Sequence, residues 1–145
     1  MAITTAMCNS FKTEVLGGTH DLDTHTIKIA LIKSGMSGTY NASTTNYSNV
    51  TGASDEASGT NYSAGGQNLD SASIALSGST AIVDFADEVF STVTVSAAGC
   101  IIYNSSASNK AICVIDFGGT VSSVAGNLTI QFPAADASNA IIRIA

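Results

Sequence analysis

The sequence predicts an all-β protein, an antiparallel two-sheet sandwich with a short N-terminal helix, and three observations carry that prediction. Apolar residues alternate with Ser, Thr and other polar residues along a series of short segments, which is the period of strands. Gly- and Asn-rich turns separate these segments, with no helices alternating between them, so packed antiparallel sheets are favoured over a parallel α/β sheet. Charge is scarce: 11% of residues are Asp, Glu, Lys or Arg and 45% are apolar, so Ser, Thr, Asn and Gly must supply most of the polar surface. At 145 residues the chain fits one domain, 1–145, which buries roughly 68–70% of its unfolded surface and needs no metal or disulfide to hold a core.

Residues Thr5 to Leu16 (5–16) read as the only helix, because Met7, Phe11 and Val15 recur four apart and Cys8 and Leu16 widen the stripe. Gly17 and Gly18 end it. Thr26 to Lys33 switches to period two, with Ile27, Ile29 and Leu31 on one face and Lys28, Ala30 and Ile32 on the other. Ser34 to Gly66 (34–66) lacks apolar periodicity and reads as a long polar excursion with one short strand. Its tyrosines, Tyr40, Tyr47 and Tyr62, offer flat amphipathic contact surface; a loop lying over its own domain explains the stretch equally well.

Strands resume at Ser73 to Ser77 and Ala81 to Phe85, joined through Gly78 and Ser79, and again from Val89 to Ala97. Beyond Ala97, Gly99 and Ile101 should face inward, yet Cys100 and Ile102 are equally apolar. Either both faces are buried or a bulge at Ala98-Gly99 shifts the phase, and the bulge is favoured. Gly99 to Tyr103 and Lys110 to Phe117 then form a hairpin about Asn104 to Asn109, pairing Tyr103 with Lys110 and setting Cys100 opposite Cys113. A cross-strand disulfide or redox pair fits that placement, but two small buried apolar side chains fit better, and Cys8 has no evident partner. Leu128, Ile130 and Phe132 mark the next strand, ended by Pro133, and Ala140 to Ala145 closes the chain, for seven or eight strands in all. Jelly-roll and immunoglobulin-like topologies both fit.

Several function classes are disfavoured. The net charge is −6, and five scattered cations make no basic stripe for a phosphate backbone, so no nucleic-acid partner is expected. The first residues lack the features of a secretory signal and no long apolar run occurs, so synthesis in a cytosol and no membrane span are expected. Six Asn-X-Ser/Thr triplets reflect abundant Asn, Ser and Thr. His20-Asp21-Leu22-Asp23-Thr24-His25 groups metal-type ligands without calcium-loop spacing, and a turn in which Asp21 or Asp23 accepts backbone amides explains it more cheaply. Asn61-Tyr62-Ser63-Ala64-Gly65 lacks the first glycine of a nucleophile elbow, and Asp84, Asp87 and Glu88 read as a solvated turn. No catalytic residue, metal or cofactor is therefore predicted.

Several segments in order resemble a family of small virion proteins of tailed bacteriophages, especially phages of marine bacteria. They include Gly18-Thr19-His20-Asp21-Leu22-Asp23-Thr24-His25-Thr26-Ile27-Lys28-Ile29-Ala30-Leu31, Gly59-Thr60-Asn61-Tyr62-Ser63-Ala64-Gly65-Gly66 and Ala111-Ile112-Cys113-Val114-Ile115-Asp116-Phe117-Gly118. Phe11-Lys12, Gly99-Cys100-Ile101-Ile102-Tyr103 and Gly126-Asn127-Leu128-Thr129-Ile130-Gln131-Phe132 complete the set. The resemblance implies a β-sandwich that decorates or cements the outside of a capsid, commonly as a homotrimer bound to the major capsid protein. It implies no catalytic motif. Phe11, Tyr40, Tyr47 and Tyr62 are the expected interface residues; a tail or fibre adhesin that recognises host glycan, or a self-assembling filament subunit, are the alternatives.

Overall fold

A computed structural model describes residues 1–145. The chain is all-β apart from two short helices and one 3₁₀ turn. In order it forms β1 (Ala2–Ile3), β2 (Ala6–Met7), α1 (Asn9–Leu16), β3 (Ile27–Ile32), β4 (Thr39–Tyr40), α2 (Ser48–Gly52) and β5 (Gln67–Asn68). Then follow β6 (Ser73–Ser77), β7 (Thr80–Asp84), β8 (Glu88–Asn104), β9 (Lys110–Ile130) and β10 (Ile142–Ile144). A five-stranded antiparallel sheet has the order β2-β9-β8-β3-β5, a three-stranded antiparallel sheet the order β10-β7-β6, and β1 pairs with β4 in parallel.

The N-terminal helix begins later than its periodicity predicts. Ala6 and Met7 pair with Val114 and Cys113 as an edge strand, and Cys8, with extended backbone, precedes the first helical residue. Sheet hydrogen bonds thus win the residues that would have made the first helical turn. Phe11 is buried, Val15 half-buried, and Leu16, expected on the same stripe, is exposed.

Two segment pairs that read as separate strands are continuous. Val89–Ala97 and Gly99–Tyr103 merge into β8, and the apolar ends of β9 are joined through the polar run Thr120–Asn127. That run lies at the edge of the sheet and is mostly exposed, which is why it carries no apolar alternation. The ladder shifts register between Ala97 and Gly99, the bulge expected there, and from Gly99 to Asn104 every residue of β8 is buried. A further shift between Ile102 and Tyr103 corrects the hairpin pairing: Tyr103 faces Ala111, Ile102 faces Cys113, and Cys100 faces Ile115. The two cysteines are therefore diagonal rather than opposite, and all three thiols are free and buried.

The excursion from Ser34 to Gly66 packs over its own domain. Tyr40, Thr44, Val50, Asp55 and Ala57 are buried, and it contains α2 as well as the short strand β4. Its second half follows the edge of β3, through a bridge between Ile32 and Glu56 and a bond from the Ala57 N–H to the Leu31 carbonyl. Gly66 makes the close approach possible: a Cβ there would lie 1.8 Å from the Ile29 carbonyl oxygen, and its φ of +73° suits glycine.

One core serves both larger sheets. Ile29, Leu31, Ile101, Ile102 and Ile112 of the five-stranded sheet join Val83 and Ile142 of the three-stranded sheet and Phe85, Phe90 and Phe132 in a single buried cluster. The β6–β7 hairpin turns through Gly78 and Ser79 as expected, with Gly78 at φ +63°.

Candidate functional site

The residues expected to form an interface sit mainly inside the domain. Phe11 is 0% and Tyr40 2% exposed, so neither presents a surface to a partner, and their placement there is corrected. Phe11 lies under the helix against the His20 ring, with centroids 4.9 Å apart. Tyr47 and Tyr62 are half-buried. Tyr47 stacks on Tyr103 at a centroid separation of 4.5 Å and an interplanar angle of 7°, and its hydroxyl donates to Glu56 Oε2. Tyr62 donates to Glu56 Oε1 at 2.9 Å and accepts from the Leu31 N–H at 2.9 Å. Burial, reinforced by Glu56, raises both phenol pKa values.

Asp55 and Glu56, the only charged residues between Ser34 and Gly66, organise this region. The buried Asp55 carboxylate accepts from the Tyr40 hydroxyl at 2.6 Å and the Gly38 N–H at 2.7 Å. It also accepts from the Ser37 N–H at 2.9 Å, and Lys33 Nζ lies 3.4 Å away. Burial opposes its ionisation, but the bonds from Tyr40, Ser37, Gly38 and Lys33 outweigh that and hold its pKa well below the ordinary 3.8. Glu56 also accepts from the Gly65 N–H at 2.7 Å. Sequence reasoning missed this pair; its signal is adjacent acids in an otherwise uncharged stretch of turn formers.

The His20–His25 patch is a turn. Asp21 Oδ1 accepts the N–H groups of Asp23 and Thr24, both at 3.1 Å. Asn104 Nδ2 lies 3.1 Å from His20 Nδ1 and 2.9 Å from His25 Nδ1, so the buried amide ties both imidazoles to the end of β8. His20 Nε2 stands 3.9 Å from Glu14 Oε2, which Lys110 Nζ engages at 3.0 Å. Burial lowers the His20 pKa from its ordinary value; Glu14 opposes the shift, while Lys110 and His25 add to it. No three His, Cys, Asp or Glu side chains gather as a metal-holding group.

The remaining acidic cluster diverges. Asp87, exposed in the connection between β7 and β8, accepts the Phe132 N–H through Oδ1 at 2.8 Å, and Glu88 bonds Gln67; Asp84 departs from the expected solvated turn, with a buried oxygen that has no partner. Burial pushes the Cys8 and Cys100 thiols up to about 12, and Cys113 well above its ordinary value, so all three are poor nucleophiles in the fold.

Apolar groups also reach the surface. A cleft of about 680 Å³ lies between the β2–β9 side of the larger sheet and the C-terminal segment, lined by Met7, Ile115, Phe117, Ile130, Phe132 and Ile141 among others. Nearby strands expose Ile74 at 55%, Leu76 at 74% and Ile144 at 51%. Leu76 pairs with Ala81, which pairs with Ile144, so this row lies on one face of the three-stranded sheet. Single exposed apolar residues are ordinary, but a row of them on one sheet face can serve as a contact surface. No helix is long and apolar enough to cross a membrane. No family model matches the chain, and no curated protein or solved structure is significantly similar to it.

Proposed function

We propose that this chain is a non-enzymatic virion structural protein of a tailed bacteriophage, a decoration or cement subunit that binds the outer surface of the head shell and stabilises it. Its partner is the major capsid protein, and it is made in the host cytoplasm before joining the virion. Its body is a two-layer β-sandwich, a reading supported by the core that the five-stranded and three-stranded sheets share.

The observation that carries the reading is the exposed apolar row of the three-stranded sheet, together with a separate apolar cleft, on a chain with few charges. Such a surface docks through small apolar areas and hydrogen bonds. A capsid repeats its surface many times, so a symmetric homo-oligomer gains avidity from modest contacts. The ordered resemblance to small phage virion proteins supports the same reading. The glycan-adhesin alternative needs accessible tyrosine faces, and Tyr40, Tyr47 and Tyr62 are engaged inside the domain.

Co-sedimentation of purified protein with shells lacking it tests the proposal. Saturable binding at regular lattice positions is expected, changing by less than about threefold across a tenfold range of salt because few exposed charges take part. Absence of binding, or binding only to tails, would overturn it.

A further inference from the structure

The outer edge of β6 has no strand partner. β6 pairs only with β7, and no backbone hydrogen bond reaches its other side. Ser77 and Thr80 close the two-residue turn and form its hydrogen-bonded pair, so Ser73, Ala75 and Ser77 bond inward to β7. The N–H and C=O groups of Ile74 and Leu76 therefore point outward, unpaired.

The strand reads Ser73-Ile74-Ala75-Leu76-Ser77, which is nearly symmetric about Ala75. An antiparallel copy centred on Ala75 sets serine opposite serine and Ile74 opposite the second copy's Leu76. The outward groups then fall at hydrogen-bonded pairs, so all four N–H donors at these positions find carbonyls. The other edges are less suited to pairing. β10 carries Arg143, β5 is two residues long, and register shifts together with left-handed Gly118 (φ 76°) and Ala125 (φ 48°) interrupt β9. Charge selects the occupant as well. No residue from Ser71 to Val83 is charged in a chain of net charge −6. Two copies of like sign meet at least cost where both are neutral, whereas a charged partner finds no counter-charge there.

We propose that two copies join through β6 about a two-fold axis, forming a continuous six-stranded sheet and bringing the Ile74 and Leu76 side chains together across the seam. A trimer requires contact between two unlike patches, but β6 matches itself. The contact does not depend on where the protein sits on a particle.

Sedimentation equilibrium of the full chain over a range of concentrations tests it. The expected species is reversible, with twice the 14.6 kDa mass of one chain. Leu76→Pro removes an outward N–H without an intrachain bond and should return the protein to monomer with an unchanged far-UV circular dichroism spectrum. Leu76→Glu should weaken association at least about tenfold, and adding Ile74→Lys should restore it, because opposite charges then face each other across the seam. The Glu/Lys pair keeps the test valid if the proline variant misfolds. A wild-type chain that stays monomeric at millimolar concentration, a trimer, or an assembly indifferent to these substitutions would overturn the proposal.

Discussion

Asp55 is a fully buried carboxylate that accepts from the N–H groups of Ser37 and Gly38 and the hydroxyls of Ser37 and Tyr40, so its removal leaves these donors without their acceptor. Asp55→Asn is expected to destabilise the fold by about 3 kcal/mol, measured by urea denaturation, because the amide cannot accept at both former oxygen positions. The pH dependence follows from the direction of its shift. With its folded pKa depressed below 3.8, Asp55 contributes stability that is full above pH 3.8 and is lost as pH falls further. His20 acts in a higher window. Its folded pKa lies below 6.5, so the unfolded chain binds the proton more readily, and stability drops as pH falls below 6.5. His20→Gln should flatten the stability profile just below pH 6.5, and Asp55→Asn the profile below 3.8; persistence of both slopes would contradict these assignments. At this scale the sequence was hardest to read. Tyrosines suited to contact a partner were equally suited to bond a buried acid, and only the fold decides which surface a phenol meets.

Close backbone approach limits what the elements tolerate. Gly66→Ala forces a Cβ against the Ile29 carbonyl at a positive φ, with an expected cost of at least about 2 kcal/mol in a denaturation experiment. The thiols of Cys8, Cys100 and Cys113 sit on or beside the β2–β9–β8 part of the sheet and are buried. A thiol-specific reagent should therefore label none of them in the native protein and all three after unfolding; rapid native labelling would show that this region opens. Strand periodicity made β3, the β6–β7 hairpin and the Ala97–Gly99 bulge legible before any coordinates. The helix start was not, because Ala6 and Met7 gain sheet partners more than 100 residues away in sequence, Val114 and Cys113. The middle of β9 was hidden for the opposite reason: its edge strand leaves most side chains in solvent and so needs no apolar alternation.

For the whole molecule, scarcity of charge was the informative sequence feature, and it recurs as an apolar face on the three-stranded sheet and an apolar cleft next to β9. The fold class followed from alternation, whereas the exposed apolar face depended on which strands became neighbours. Three-dimensional reconstruction of particles that carry this protein shows where on the particle it sits. The decoration role predicts discrete, symmetry-repeated density for it on the outer surface of the head shell. Density confined to the tail, or none on the particle, would contradict it.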